Sequence, residues 1–462
     1  MKFLKFNQFN FHQIPDNLNA RAKALQLLLE VIYNGKSLQH LQNNSLEQLS
    51  PQDRGFVMEL VLGCLRRKSF LNQCVNTLLT KPLRKREEWV GVLVEVGFYQ
   101  LYFLKMPAHA VIHSMVELVK CLGFDQFSGL VNGLLRNLNR DIEDQAGGLA
   151  ESLPPDHKGG LPQWLEGRIR TDWPDQWREI FQQMAKQPDI HLRVNRQAIS
   201  YADYTDNPAI ESQVIGDDQL KELSPWWVPL LKPQPIRQLP GYEAGEFSVQ
   251  DVSAQLAVEV LLQVTQPTHQ QANMRWLDAC AAPGGKTSHL LEALPAKVQL
   301  DVRDSETGRL QRLQENLQRL KLLRNGVNIA TADLRSIAEK YDVILLDAPC
   351  SGTGVIGRHP DIAWCRRATD IADLAELQLE LLEHCEALLN PGGYLLFSTC
   401  SILKAENVDN CQKLLSRAKN SLAEVELNLL LGERQSCGYQ RLPGLHLGDG
   451  FFYALFKKST DS

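Results

Sequence analysis

What the chain lacks narrows its class before any motif is read. It has no hydrophobic run long enough to cross a bilayer. The longest, WVGVLVEVGFYQLYFL at 89–104, is broken by Glu95 and Gln100 and stops short of the roughly 20 apolar residues that a span needs. A buried helix is expected there, and no membrane partner. The opening MKFLKFNQFNFHQIPDN scatters its aromatics among Lys, Asn and Gln, without the unbroken apolar core or small-residue cleavage site of a secretory signal, so a cytoplasmic address is expected. None of the ten cysteines forms a CxxC pair or a Cys/His set with metal spacing; mostly buried free thiols and no metal site follow. Nor is there an overall positive charge. The 49 Lys and Arg stand against 54 Asp and Glu, for a net charge of −5 and a pI near 6.2, which taken whole speaks mildly against a nucleic-acid partner.

The average hides an asymmetry. Residues 1–140 hold 17 Lys and Arg against 10 Asp and Glu, and the remainder 32 against 44, so a basic front precedes an acidic back. Clusters at Arg66, Arg67 and Lys68 and at Lys81, Arg84, Lys85 and Arg86 can attract phosphate or be no more than solvated helix ends. Over 19–140 apolar residues recur at helical spacing, as in Leu25, Leu28, Leu29 and Ile32, with further segments at 54–66, 68–79, 89–104, 108–122 and 126–138. Six or so helices without a strand signal predict an all-α bundle over 1–145. DQAGGLAESLPPDHKGGLPQWL, dense in Gly and Pro, reads as a linker, and 146–240 as that linker followed by a small α+β subdomain containing HLRVN. From 241 to 462 strand-like runs alternate with helical patterns, the sign of a doubly wound parallel sheet.

Strands are predicted at 275–280, 297–304, 327–333, 341–347 and 393–400, the last entered through the turn NPGG, with a closing hairpin at one edge formed by 438–446 and FFYALFKK. Ligands of such sheets lie beyond the carboxyl ends of the strands, and the chemistry-bearing residues gather there. The loop CAAPGGKT ends like a phosphate-binding loop, but that motif needs glycine five residues before Gly285, where Cys280 stands. A tight turn over Cys280, Ala281, Ala282, Pro283, Gly284, Gly285 and Lys286 fits better. It lets backbone approach a nucleoside cofactor whose charged tail sits at the next helix N-terminus. Asp304 closes the second strand, where a carboxylate can accept both ribose hydroxyls of an adenosine cofactor, and Asp333 closes the third, within reach of an adenine amino group. Each acid alone can equally be a turn former or helix cap. Asp301 competes for the ribose but lies inside its strand, with Arg303 beside Asp304 as a compensating charge.

Two cysteines stand at strand ends: Cys350 in DAPCSGTGVIGRHPDIAW and Cys400 in GGYLLFSTC. Adjacent parallel strands lie about 4.8 Å apart, so if the fourth and fifth strands are neighbours both thiols emerge at the cofactor crevice. A redox pair lacks the CxxC spacing and leaves the nucleoside site unexplained. Nucleophilic catalysis accounts for both features. Carbon 5 of cytosine is too poor a nucleophile to take a methyl from a sulfonium donor; a thiolate adding to carbon 6 makes the ring an enamine, electron-rich at carbon 5. A base must then remove the carbon 5 proton before the thiolate can leave, and Cys350 is placed for that task. The cytosine must be unpaired or extruded to be reached.

LDACAAPGGKT, LLDAPCSGTGVIGRHPDIAW, FSTCS and FSVQDVSAQLA resemble the motifs of the S-adenosylmethionine-dependent RNA cytosine-5 methyltransferases. The resemblance implies that Cys400, of the TC motif, is the nucleophile and that Cys350, of the PC motif, assists its release. It implies a cofactor loop from Cys280 to Lys286, with Asp304, Asp333 and Asp347 as further S-adenosylmethionine ligands and Lys286 and Asp347 also touching the target base. DNA cytosine methyltransferases attack from the PC cysteine, so possession of both favours RNA. In the front half NARAKALQLLLEVIYNG, SPQDRGFVMELVLGCLRRK and VNGLLRNLNR resemble NusB-like RNA-binding domains. Joined, the halves are similar over nearly the whole chain to the bacterial small-subunit (16S) ribosomal RNA cytosine-5 methyltransferases of the Sun/Fmu family.

The architecture so implied is multidomain: an all-α NusB-like bundle, a small α+β subdomain, and an α/β Rossmann-like methyltransferase domain acting on small-subunit ribosomal RNA. Arg21, Arg54, Arg66 and Arg136 become phosphate-contact candidates, with surface salt bridges as the alternative. His359 and Trp364 become base-stacking candidates, with ordinary packing as the alternative. Two departures stand out. DVRDSE sets a basic residue between its acids, which leaves the ribose ligand open, and the acidic whole chain leaves RNA affinity to the front half and the crevice. Rival readings are a transfer RNA substrate, a nucleotide hydrolase, and a non-catalytic RNA-binding module; the last would have lost an acid, glycine or cysteine that this chain keeps.

Overall fold

The computed structural model of the protein describes residues 14–46, 49–143, 160–210, 218–230, 234–266, 274–427 and 431–460, with Phe9, Phe11 and Lys232 besides. Most of the expected linker, 144–159, and most of the opening segment lie outside the described residues; the linker's last residues instead begin the helix Gln163–Asp172. The chain forms two compact units. One runs through Gln187 and takes in Ile356–Ala368; the other holds Pro188–Val355 and the chain from Thr369 onward.

Local chemistry sets the helix ends of the first unit. α1 (Asp16–Asn34) stops where Gly35 adopts φ 65°, so that its N–H and that of Lys36 close on the Val31 and Glu30 carbonyls, the left-handed cap that glycine takes without strain. α2 (Leu38–Ser45) begins behind Ser37, whose hydroxyl accepts from the His40 N–H. α3 (Pro51–Arg66) opens with a proline, whose missing N–H is no loss in the first turn, behind Ser50, whose hydroxyl accepts from the Asp53 N–H. α4 (Lys68–Leu78), α5 (Glu88–Tyr102), α6 (Ala108–Cys121) and α7 (Ser128–Glu143) follow. α5 is the apolar run of the sequence. Every side from Trp89 to Leu101 is buried, as a helix apolar all round requires, and α1, α3, α4, α6 and α7 all pack on it. Its polar interruptions are paired inside: Glu95 accepts from Lys68 Nζ at 2.8 Å and Asn72 Nδ2 at 3.1 Å, and Gln100 from Arg21 Nε at 2.8 Å. The helices Gln163–Asp172 and Trp177–Met184 also pack within this unit. Among the described residues no helix is long and apolar enough to cross a membrane.

In the second unit β1 (His191–Val194), β2 (Trp227–Pro229) and β3 (Phe247–Val249) form an antiparallel sheet in the order β2-β1-β3. The HLRVN strand is its centre. Its third strand lies past residue 240, in three residues too short to show a period. β4 (Arg275–Ala279), β5 (Gln299–Asp304), β6 (Val327–Thr331), β7 (Tyr341–Asp347) and β8 (Leu389–Thr399) run parallel in the order β6-β5-β4-β7-β8. From β4 the chain builds outward to one side and then returns to the other, so the order reverses between β4 and β7, the switch point at which such sheets open a crevice. Val343, Ile344, Leu345 and Leu346 are all fully buried, the condition for a strand that is apolar on both faces.

Two expectations need correction. The NPGG turn does not precede the fifth strand but bulges within it, as pairing jumps from Tyr341↔Leu389 to Val343↔Tyr394. The closing hairpin, β11 (Tyr439–Arg441) with β12 (Phe451–Lys458), is present, but β12 also pairs with β8 and with β9 (Leu422–Val425), while β10 (Glu433–Arg434) pairs with β11. The two-residue β10, which the sequence does not announce, extends the sheet beyond the hairpin, and the four-residue β9 pairs with the far half of β12 beside β11.

The Lys68–Glu95 pair is buried on both sides, with side-chain exposures of 8% and 1%. Removing one partner strands the other charge. Lys68→Met should lower the unfolding free energy by ~3 kcal/mol, and adding Glu95→Leu should recover most of it, since an apolar pair fills the same space. Denaturant titration of the two variants against the parent checks this.

Candidate active site

β4 leads into Cys280, at φ 60°, and then through a cis Ala282–Pro283 bond to Gly284, at φ 97°, a conformation that glycine adopts freely. A Cβ on Gly284 would come within 2.7 Å of Leu313, whereas one on Gly285 would meet nothing nearer than Gln250 at 3.7 Å. Gly284 is thus required by the turn, and Gly285 leaves open space at the start of the helix Gly285–Ala293. The first turn of a helix carries unpaired N–H groups and a partial positive charge.

Asp304 is tied to this loop. Its Oδ2 accepts from the Ala282 N–H at 3.0 Å and its Oδ1 from the Glu306 N–H at 3.1 Å. Asp301 is engaged elsewhere, with Arg275 Nη2 at 2.9 Å, Tyr341 OH at 2.8 Å and Asn328 Nδ2 at 3.0 Å. Arg303 pairs with Asp301 at 3.4 Å rather than with Asp304, because residues two apart in a strand share a face and the next residue points away. Asp333 caps the turn Leu334–Ser336, accepting from the Arg335 N–H at 3.0 Å and from its guanidinium at 2.7 Å, and these bonds hold its half-exposed carboxyl down to about 2. Lys286 Nζ reaches across from the helix to Asp347 Oδ2 at 2.7 Å. Ser398 Oγ donates to the other oxygen of Asp347 at 3.2 Å, and the ammonium stands 4.7 Å from the centre of the Phe451 ring.

The parallel ladder between β7 and β8 runs as far as Asp347↔Ser398, and just past it Cys350 Sγ and Cys400 Sγ lie 3.4 Å apart. The hydrogen bond to Cys400, then burial, then the neighbouring charges of Cys400 and Glu406 push the Cys350 thiol well above its ordinary range. Either thiol can donate to the other across this contact. Cys280 is a different case. Burial, followed by Asp304, Asp347 and Asp278, pushes its thiol up to about 12, so it lines the turn without being a nucleophile.

Other sequence candidates take structural roles within the first unit. Arg66 Nε donates to the Gly357 carbonyl at 2.8 Å, Arg67 lies 5.0 Å over the Phe103 ring, Lys68 is the buried partner of Glu95, and Arg21 links Gln100 with the Phe56 ring. The first basic cluster is therefore consumed by packing. Trp364 donates Nε1 to the Leu65 carbonyl at 3.3 Å and joins the helical core, the packing alternative rather than the stacking one. Arg54, Arg136 and His359 are exposed, as are Lys81, Arg84, Lys85 and Arg86 before α5. Sequence reasoning missed two buried acids, Asp278, inside the quoted motif LDACAAPGGKT, and Glu406, just past FSTCS, because burial leaves no mark in the pattern.

Asp278 Oδ2 accepts from Thr287 Oγ1 at 2.6 Å, and burial pushes the carboxyl from its usual 3.8 up to about 7. Between about pH 4 and about pH 7 the folded protein holds a proton that the unfolded chain has shed, so this group's contribution to stability falls as pH rises through that window. Asp278→Asn should therefore stabilise the protein at about pH 8, by at most ~4 kcal/mol, and change it little at about pH 4. Thermal unfolding at the two pH values checks the sign.

Comparison with known proteins agrees with this arrangement. Residues 264–457 match the family described as 16S rRNA methyltransferase RsmB/F, residues 18–140 the NusB family, and residues 161–208 the ferredoxin-like domain of RsmF/B-like methyltransferases. The chain is 38% identical over 446 residues to the ribosomal RNA small subunit methyltransferase B of Cronobacter sakazakii, covering 96% of this chain and 99% of that one. It is 39% identical over 448 residues to the protein of the same name from Shewanella oneidensis, covering 96% and 100%. Among solved structures it is similar to PH0851, with a TM-score of 0.73 at 22% identity over 94% of this chain and 98% of that one, a likeness of fold. It is also similar to a methyltransferase homolog protein from Pyrococcus horikoshii, with a TM-score of 0.54 at 25% identity over 65% and 96%. The architecture read from the sequence, a NusB-like helical front, a small mixed subdomain and a Rossmann-like sheet, is the one found. By its identity to these relatives over nearly its whole length, the chain belongs to the ribosomal RNA small subunit methyltransferase B family.

Proposed function

We propose that the protein is a cytoplasmic enzyme that transfers the methyl group of S-adenosylmethionine to carbon 5 of a cytosine in small-subunit ribosomal RNA, with Cys400 as nucleophile and Cys350 assisting its release. The observation that carries this reading is the 3.4 Å separation of two sulfurs just past the carboxyl ends of β7 and β8. The residues beyond β4 suit the cofactor. Gly285 leaves room that a side chain would fill, and the helix behind it offers N–H groups to a carboxylate. Asp304 closes the next strand, and each of its oxygens, which accepts one backbone bond, has a lone pair left for a hydroxyl; Asp333 follows the third strand, where it would have to exchange bonds with Arg335 to reach the cofactor. Asp347 and Lys286 complete the set and also border the target base. When bound, the cofactor supplies an electrophilic methyl group on a positively charged sulfur.

The chain's own residues do the rest. Cys400 attacks as its thiolate, the reactive form. That thiolate adds to carbon 6 of the cytosine and makes carbon 5 electron-rich. The Cys350 thiol passes its proton to the ring as Cys400 adds; after methylation the resulting Cys350 thiolate takes the proton from carbon 5, the bond from Cys400 to carbon 6 breaks as the ring regains its aromaticity, and the ring gives up its extra proton to solvent. A base stacked in a duplex cannot present carbon 6 to a thiol, so the substrate cytosine is unpaired or extruded. Phosphate contacts fall to the exposed bases of the front half, Arg54, Arg136 and the Lys81–Arg86 turn, whose affinity declines with salt.

Cys400→Ser should abolish transfer of labelled methyl to 16S ribosomal RNA, while Cys350→Ala should accumulate a protein–RNA species that survives denaturant. A Cys350→Ala enzyme that turns over normally with no such species would remove the release role from Cys350.

A further inference from the structure

Glu406 is a fully buried acid, and the mechanism above gives it no task. Its Oε1 accepts from the Ser351 N–H at 2.7 Å and from Gln378 Nε2 at 3.0 Å; its Oε2 accepts from the Ser351 hydroxyl at 2.5 Å and the Ser401 hydroxyl at 2.6 Å. Ser351 follows Cys350, and Ser401 follows Cys400. One carboxylate thus holds the residue after each cysteine, from loops on two different strands. The backbone ladder does not do this. It reaches Asp347↔Ser398, with one more bond from the Ala348 N–H to the Ser398 carbonyl, and stops short of the Cys350–Cys400 contact.

The surrounding bonds serve the same end. Gln378, which donates to Glu406, also donates to the Pro349 carbonyl at 2.9 Å. Thr353 Oγ1 accepts from the Ile402 N–H at 3.1 Å, the Gly354 N–H donates to the Cys400 carbonyl at 2.9 Å, and Asn407 Nδ2 donates to the Ser401 carbonyl at 2.9 Å. A buried carboxylate is tolerated when donors answer its lone pairs, as four do here. An apolar side chain could fill the same volume without that requirement, so the acid itself calls for a purpose.

We propose that Glu406 is a positioning residue for methyl transfer: one buried carboxylate that holds the Cys350 and Cys400 loops in register through Ser351 and Ser401, and sets a negative field beside the pair. The register brings the sulfurs to hydrogen-bonding distance. The field helps to retain the proton on Cys350, behind the larger effects of its bond to Cys400 and of burial.

This inference rests on the two-cysteine reading, and the test separates the two. Glu406→Gln keeps the shape and removes the charge, Glu406→Ala removes both, and Ser401→Ala removes one strut. In the full chain, kcat of methyl transfer should fall about 30-fold in Glu406→Ala and less in Glu406→Gln. KM for S-adenosylmethionine should stay within about twofold, because the cofactor turn is untouched. Iodoacetamide alkylation of Cys350 and Cys400, read by peptide mass without RNA, should shift to lower pH in Glu406→Gln. A side chain that merely filled space would leave that curve in place. If Glu406→Ala fails to fold, Glu406→Gln and Ser401→Ala carry the test. Folded variants with the parental kcat and an unmoved alkylation curve overturn the proposal. If Cys400→Ser still methylates RNA, the two-cysteine reading fails, while the alkylation curve still decides the role of Glu406.

Discussion

The pairing of β7 with β8 is the constraint on which the site depends. These two strands are far apart in sequence, and only their parallel register, ending at Asp347↔Ser398, brings the PC and TC loops to one mouth of the sheet. The same register sets Asp347 against Lys286, which comes from the helix after β4. The carboxyl ends of these strands therefore assemble the two thiols, the lysine–aspartate pair and the Cys280–Lys286 turn. A slip of one residue in β8 would turn its side chains to the opposite face, and the two sulfurs would no longer meet.

Much of this was legible in the sequence, for identifiable reasons. β7 is a run of apolar residues buried on both faces, and it ends at an acid and a cysteine. Such a run is readable because burial on both sides leaves no polar alternation to confuse it. The turn from Cys280 to Lys286 was readable because its glycines answer a backbone demand, with Gly284 at φ 97°. Short strands were not readable. β3, β9 and β10 hold two to four residues each, too few for a period to emerge.

Charge was the least legible property, because what a charged side chain does depends on a partner that the sequence does not name. Arg66, Arg67 and Lys68 form a basic cluster in sequence, yet in the fold they face a carbonyl, an aromatic ring and a buried carboxylate. The Lys81–Arg86 cluster has nearly the same composition and remains exposed. Arg303 shows the same limit at shorter range, since strand geometry sends it to Asp301 rather than to its neighbour Asp304. Glu406 is the strongest instance. Nothing in the pattern of its residue type announces burial, and its meaning rests on the two serines that it joins.

The central claim is that a sulfur on β8 bonds transiently to carbon 6 of the pyrimidine ring. A ribosomal RNA fragment carrying 5-fluorocytosine tests it most directly, because fluorine at carbon 5 cannot be taken off as a proton and the methylated adduct cannot collapse. Digestion and mass spectrometry should then find the fluorinated, methylated nucleotide on the peptide containing Cys400, and only in the presence of S-adenosylmethionine. Attachment at Cys350 instead, or methylation of ordinary RNA with no fluorocytosine adduct on any cysteine, would contradict the account.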